Sequence, residues 1–155
     1  MFPQDTNRAP LEYSLLHVVN ERFEVGIEYD YKEDQFHPAA VYRIVEATES
    51  TPAVMIGTSS AWPSGEVDGN ALSITLSDML GDDMNFSIGA AYILETEDWR
   101  SPASLSYRIR EGLSTSLMYD GDGLHPIMTI DRVGASIQLI LFNGEDPGIA
   151  VSLFQ

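Results

Sequence analysis

Apolar and polar residues alternate along nearly the whole chain. In FEVGIEYDY, Phe23, Val25, Ile27, Tyr29 and Tyr31 fall on one side, and Glu24, Gly26, Glu28 and Asp30 on the other. ALSITLS sets Leu72, Ile74 and Leu76 against Ser73, Thr75 and Ser77. NFSIGAAYIL aligns Phe86, Ile88, Ala90, Tyr92 and Leu94. LSTSLMY aligns Leu113, Thr115, Leu117 and Tyr119, and ASIQLILF aligns Ala135, Ile137, Leu139 and Leu141. A period of two is that of an extended strand, whose successive side chains point to opposite faces. Turn residues recur every ~8–12 positions, the rhythm of an all-β chain.

The spacing predicts strands near 11–19, 22–31, 37–46, 52–59, 69–77, 84–94, 102–110, 112–119, 125–131, 134–142 and 148–154. SDMLGDD at 77–83 reads as a turn. Residues 1–10 read as a flexible lead-in, and 11–155 as one domain. The expected fold is all-β, an antiparallel up-and-down meander closing into a β-barrel of about 10–12 strands.

The connections alternate in length, with those at 47–51 and 78–83 intermediate on the short side. NE at 20–21, EG at 111–112 and RV at 132–133 are short. KEDQF at 32–36, SAWPSGEVDG at 60–69, TEDWRS at 96–101, DGDGL at 120–124 and NGEDP at 143–147 are longer and acidic. In a meander, alternate connections emerge at opposite ends, so the longer loops share one end, as in outer-membrane barrels. Two of them repeat a pattern: YDYKEDQFHP at 29–38 and YDGDGLHP at 119–126. Both read as one hairpin design, with Tyr29 and Tyr119 closing the apolar face and Pro38 and Pro126 opening the next strand. Trp62 and Trp99 lie in loops at this end, as interfacial anchors, partner contacts or local packing plugs.

Charge and composition narrow the partners. Lys and Arg number 8 against 24 Asp and Glu, a formal net charge of −16. Such a field repels a phosphate backbone, so nucleic acid is excluded as a partner. No cysteine is present, so disulfides and thiolate metal sites are excluded. No run of ~18 apolar residues marks a transmembrane helix. MFPQDTNRAP has neither the basic nor the apolar stretch of a secretory leader.

The alternation defines two faces without saying which one is wet. In a membrane barrel the apolar face meets lipid and the polar face lines the lumen. Phe23, Val25, Ile27, Leu72, Ile74, Phe86, Ile88, Leu113, Leu117, Ile137 and Leu139 then point outward, and Glu24, Glu28, Arg43, Arg108 and Gln138 inward. In a soluble barrel or sandwich the two sets exchange places, and the core takes a small apolar ligand or a partner protein. A β-rich subunit of a larger surface assembly is a third arrangement.

From about residue 22 to 154 the order of motifs resembles outer-membrane β-barrel proteins of the YjbH (exopolysaccharide-associated) type. The matching stretches are EYDY, then HPAAVYRIVE and TPAVMIGTSS, then NFSIGAAYIL, then GLSTSLMYDGDGLHP with the strands after it and a last strand ending in Phe154. The resemblance implies a non-enzymatic barrel in the bacterial outer membrane, a structural or transport-accessory component of a Gram-negative envelope. Its partners would be the lipid bilayer or an envelope protein. A secreted or periplasmic soluble form is the alternative.

Candidate chemistry is sparse. A metal site assembled from Asp30, His37, Asp120, Asp122 and His125 needs two separate loops to meet, and DGDG lacks the further oxygen ligands of a calcium loop. No resident metal or cofactor is expected. Glu24 and Glu28 lie ~13 Å apart along a strand, too far for a paired-carboxylate mechanism. No nucleophile elbow, zinc-protease motif or phosphate loop occurs. The acidic loop end, with Asp120, Asp122, Glu145 and Asp146, is expected to bind divalent cations or a cationic partner weakly.

Overall fold

The structure, a computed structural model, describes residues 12–30, 34–60 and 70–153. The lead-in, the loop carrying Trp62, Glu66 and Asp68, and Lys32 with Glu33 lie outside the described residues. The strands are β1 (Glu12–Asn20), β2 (Phe23–Asp30), β3 (Gln35–Val45), β4 (Ala53–Ser59), β5 (Ala71–Leu80) and β6 (Met84–Ile93). They continue as β7 (Trp99–Arg100), β8 (Ala103–Arg110), β9 (Leu113–Tyr119), β10 (Leu124–Arg132), β11 (Ala135–Phe142) and β12 (Asp146–Leu153). Among the described residues there is no helix. Every strand pairs antiparallel with its sequence neighbours in one sheet, apart from β7.

The tiny strand β7 was expected to be loop. It pairs with β6 in the same register as β8, through Ala91↔Arg100 and Ile88↔Ala103. The two are pieces of one rail, interrupted at Ser101 and Pro102, and the Gly89 N–H bonds the Pro102 carbonyl across the gap at 2.8 Å. The 77–83 segment is not all turn, since β5 runs on to Leu80 and the chain reverses after it, at Gly81, with φ +74. The two prolines do not open their strands: β3 begins at Gln35 and β10 at Leu124. At both, the second ladder starts only at Ala40 or Ile127, so the missing N–H interrupts nothing on that side.

The expected closed barrel is met as far as the meander and no further. Counting β7 with β8, β1 and β12 run in the same direction, and each is an edge, since no ladder joins them among the described residues. The sheet is nonetheless built with a barrel's stagger. Following partners straight across, Ala53 leads to Ser77, Ser87, Ser104, Met118 and His125. That row starts at the short-turn end of β4 and arrives at the long-loop end of β10, so the strands are sheared past one another.

The sheet also leans toward its polar side. A Cβ at Gly57 would stand 2.8 Å from the Ala40 carbonyl oxygen, and one at Gly89 2.7 Å from that of Ile74. Both glycines face the polar side, where neighbouring backbones approach too closely for a side chain. Glycines at such points let a sheet bend.

Candidate functional site

Over the middle of the sheet, burial is higher on the polar face than on the apolar one. On β5, Leu72, Ile74 and Leu76 keep 52%, 47% and 42% of their surface exposed, whereas Ala71, Ala91 and Ile93 on the opposite face keep 1%, 0% and 1%. The wholly buried apolar side chains are alanines and Ile93, and many of the other large ones are exposed. Val25, Ile27, Ile88, Leu117, Ile137 and Leu139 are exposed on the apolar face, and Phe23, Phe86 and Leu113 are half-buried there.

Register places all five expected lumen residues on the polar face. Glu24 pairs with Val41 and Glu28 with His37, while Arg43 follows two residues after Val41. Arg108, Ser114, Thr129 and Gln138 form one row across β8 to β11. Glu28 is buried, Glu24 and Gln138 are half-buried, and Arg43 and Arg108 are exposed. Arg108 borders a cleft of about 580 Å³ with Asn85, Ser106, Ser114 and Asp131. These residues share a face but not a cluster.

The clustered polar groups sit at the long-loop end. The carboxylate of Glu28, at the end of β2, accepts from Ser59 Oγ at 2.8 Å, Ser60 N at 2.6 Å and Ser60 Oγ at 2.9 Å. The end of β4 is thereby tied back across β3. Asn70, just before β5, donates through Nδ2 to the Pro38 carbonyl at 2.7 Å and accepts from Thr58 Oγ1 at 2.7 Å. Its own carbonyl takes the Leu94 N–H at 2.9 Å. Asn70 thus satisfies a carbonyl that lies beyond the β3–β4 ladder.

The two His-Pro hairpins lie at this same end, as the meander requires. Their pairing is equivalent: Tyr29 stands opposite Phe36 and Tyr119 opposite Leu124, one step before each histidine. The second hairpin is closed by Asp120, whose Oδ1 accepts the N–H groups of Asp122 and Gly123, each at 3.0 Å. Asp120 is therefore no part of an exposed acidic end. It is fully buried with His125, whose Nε2 lies 3.1 Å from Asp120 Oδ2 but is poorly aligned for a regular hydrogen bond. His125 Nδ1 accepts the Asn143 N–H at 3.2 Å, and the Phe142 ring meets the imidazole edge-on at 6.0 Å. Asp122 faces Arg100 at 3.5 Å. Glu145 is exposed and Asp146 half-buried.

Aromatic pairs stand at both margins of the apolar face. Tyr29–Phe36 and Tyr92–Trp99 lie at the long-loop margin, with ring centroids 4.9 and 5.2 Å apart. Phe23–Tyr42, at 6.3 Å, lies at the short-turn margin. Phe23 and Tyr29 are six residues apart on one strand, about 20 Å. Trp99 is highly exposed there and touches Tyr92 rather than plugging the loop.

Of the residues weighed for a metal site, Asp120 and His125 meet, but β4, β5, β6 and β8 separate this hairpin from the one carrying His37. Among the described residues no group of three or more His, Asp or Glu is arranged to hold a metal ion. Asn70, Ser59, Ser60 and Asn143 escaped the sequence reading, since isolated polar loop residues carry no pattern. The His-Pro repeat was the one signal that pointed at His125. Compared with protein family models, curated proteins and solved structures, the chain matches none.

Proposed function

We propose that this chain is a non-enzymatic membrane β-barrel of the outer-membrane type, a structural or transport-accessory component of a Gram-negative envelope. The observation that carries the reading is the inverted burial: large apolar side chains dominate one face of the sheet and stay exposed, while the more buried face mixes Ser, Thr, Gly, Ala and scattered charges with fewer large apolar residues, Ile93, Ile127 and Ile140 among them. Monomeric soluble proteins rarely leave contiguous apolar patches above a few hundred Å² in water. A bilayer covers such a face, and the aromatic pairs at its two margins suit the lipid–water interfaces. The soluble reading needs the same aliphatic residues in one core, and the burial runs the other way.

Closure of the sheet into a barrel belongs to this proposal. It is supported by the shear, by the glycines that let the sheet bend, and by the edges. Past Glu12 in β1 and Asp146 in β12, the edge strands hold no Asp, Glu, Lys or Arg, although exposed edges are normally guarded by charged side chains. The resemblance to YjbH-type barrels points to the same compartment. A β-rich subunit of a surface assembly would share the free edges, and the test separates it.

The test uses a Trp62→Phe background, so that Trp99 is the single emitter. In vesicles with brominated acyl chains, Trp99 fluorescence is expected to shift blue and to be quenched. A chain that stays monomeric in detergent-free buffer, with Trp99 unquenched by such vesicles, sinks the membrane reading. Soluble oligomers point to the assembly instead.

A further inference from the structure

We propose that His125 is an acid-sensitive latch between two neighbouring turns at the long-loop end, the 120–123 turn and the 143–145 turn. The proposal stands on the geometry of the imidazole and not on the membrane reading. His125 and Asp120 are wholly buried, and the ring makes one charge contact and one hydrogen bond, in two directions. Toward its own hairpin, Nε2 lies against the Asp120 carboxylate at 3.1 Å. Toward the next hairpin, Nδ1 accepts the backbone N–H of Asn143 at 3.2 Å. An acceptor nitrogen carries no proton, so the neutral ring is the Nε2–H tautomer.

Protonation acts differently on the two contacts. The imidazolium has N–H groups at both positions and accepts at neither. At Nε2 the added charge strengthens the attraction to Asp120, so the hairpin that carries the histidine stays closed. At Nδ1 the new proton points at the Asn143 N–H, and two donors face each other in a fully buried site. The bond between the turns must break. Acid therefore separates the 143–145 turn from the 120–123 turn while each remains folded.

Among the described residues, Asp120 is the charge nearest the ring. Met118 faces it from β9, and Phe142 with the Asn143 backbone from β11 and its turn. The next charges are the Asp122–Arg100 pair along the turn and Asp146, the register partner of Phe142 on β12. The fit is tight: a Cβ at Gly123 would collide with the Asn143 side-chain carbonyl oxygen. The two turns are thus in direct contact at Gly123 and the Asn143 side chain.

The experiment is amide hydrogen exchange and imidazole ¹⁵N spectroscopy on the whole folded protein, in micelles or in plain buffer, whichever keeps it folded. Between about pH 8 and about pH 5, where imidazoles commonly change charge, Asn143 protection is expected to fall about tenfold, after correction for intrinsic exchange, the loss a single net hydrogen bond of this kind gives. The Gly89 amide, bonded to Pro102, is expected to hold. His125→Gln keeps a side-chain acceptor that does not titrate and is expected to abolish the pH dependence. A proton on Nδ1 already at pH 8 overturns the proposal in the unmodified protein. So does Asn143 protection that is constant across the range, or a pH dependence that survives in H125Q.

Discussion

Replacing Leu139 by lysine, and separately its neighbour Gln138, asks adjacent residues of β11 which side meets hydrocarbon. Leu139 is the fifth of eight residues in β11, close to mid-height, and keeps 40% of its surface exposed on the apolar face. At the midplane of a bilayer a lysine on the lipid face costs about 2–4 kcal/mol. On a surface facing water the same change stays within about 0.5 kcal/mol. Gln138 points the other way, half-buried between Thr129 and Ala150, and is already a long polar side chain. Its lysine variant is expected to cost under about 1 kcal/mol, because the ammonium reaches the polar interior along a flexible stem. The assay is reversible urea unfolding from lipid vesicles, with ΔΔG taken from the shift in midpoint at constant slope. A Leu139→Lys penalty below about 0.5 kcal/mol, or a larger one for Gln138→Lys, would refute the assignment of faces.

Three further changes probe the long-loop end and the bend of the sheet. Glu28→Ala removes the acceptor of three hydrogen bonds and strands the Ser60 N–H. It is expected to cost about 2–4 kcal/mol in urea, well above Glu24→Ala on the same strand, since bonds to charged groups are individually strong. Asn70→Ala frees the Pro38 carbonyl and is expected to cost about 1–2 kcal/mol, with faster amide exchange at the start of β5 as the local readout. Gly89→Ala drives a Cβ against the Ile74 backbone carbonyl, which no side-chain rotamer relieves. The expected loss is about 1–3 kcal/mol, and a neutral result would show that β5 and β6 separate easily there.

Most of the architecture is local in origin, so the sequence by itself determined it. Period-two alternation placed the strands, and the turn residues between them dictated a meander. The meander in turn put both His-Pro hairpins at one end. Alternation also assigned Glu24, Glu28, Arg43, Arg108 and Gln138 to one face, because a side chain's face depends only on its parity along the strand. Parity says nothing about which face is the more buried. That was decided by how the strands stack sideways, with close backbone approaches at Gly57 and Gly89 and small side chains at Ala71 and Ala91. The fate of Asp120 was equally invisible. As a lone acidic loop residue it reads as solvated, but the fold carries it with His125 beneath a turn 18 residues further along the chain. Strand β7 and the tie from Glu28 to Ser59 and Ser60 have the same origin. The Glu28 tie joins residues more than 30 apart, and β7, though only seven to nine residues from its partners, forms only once the register of β6 is set.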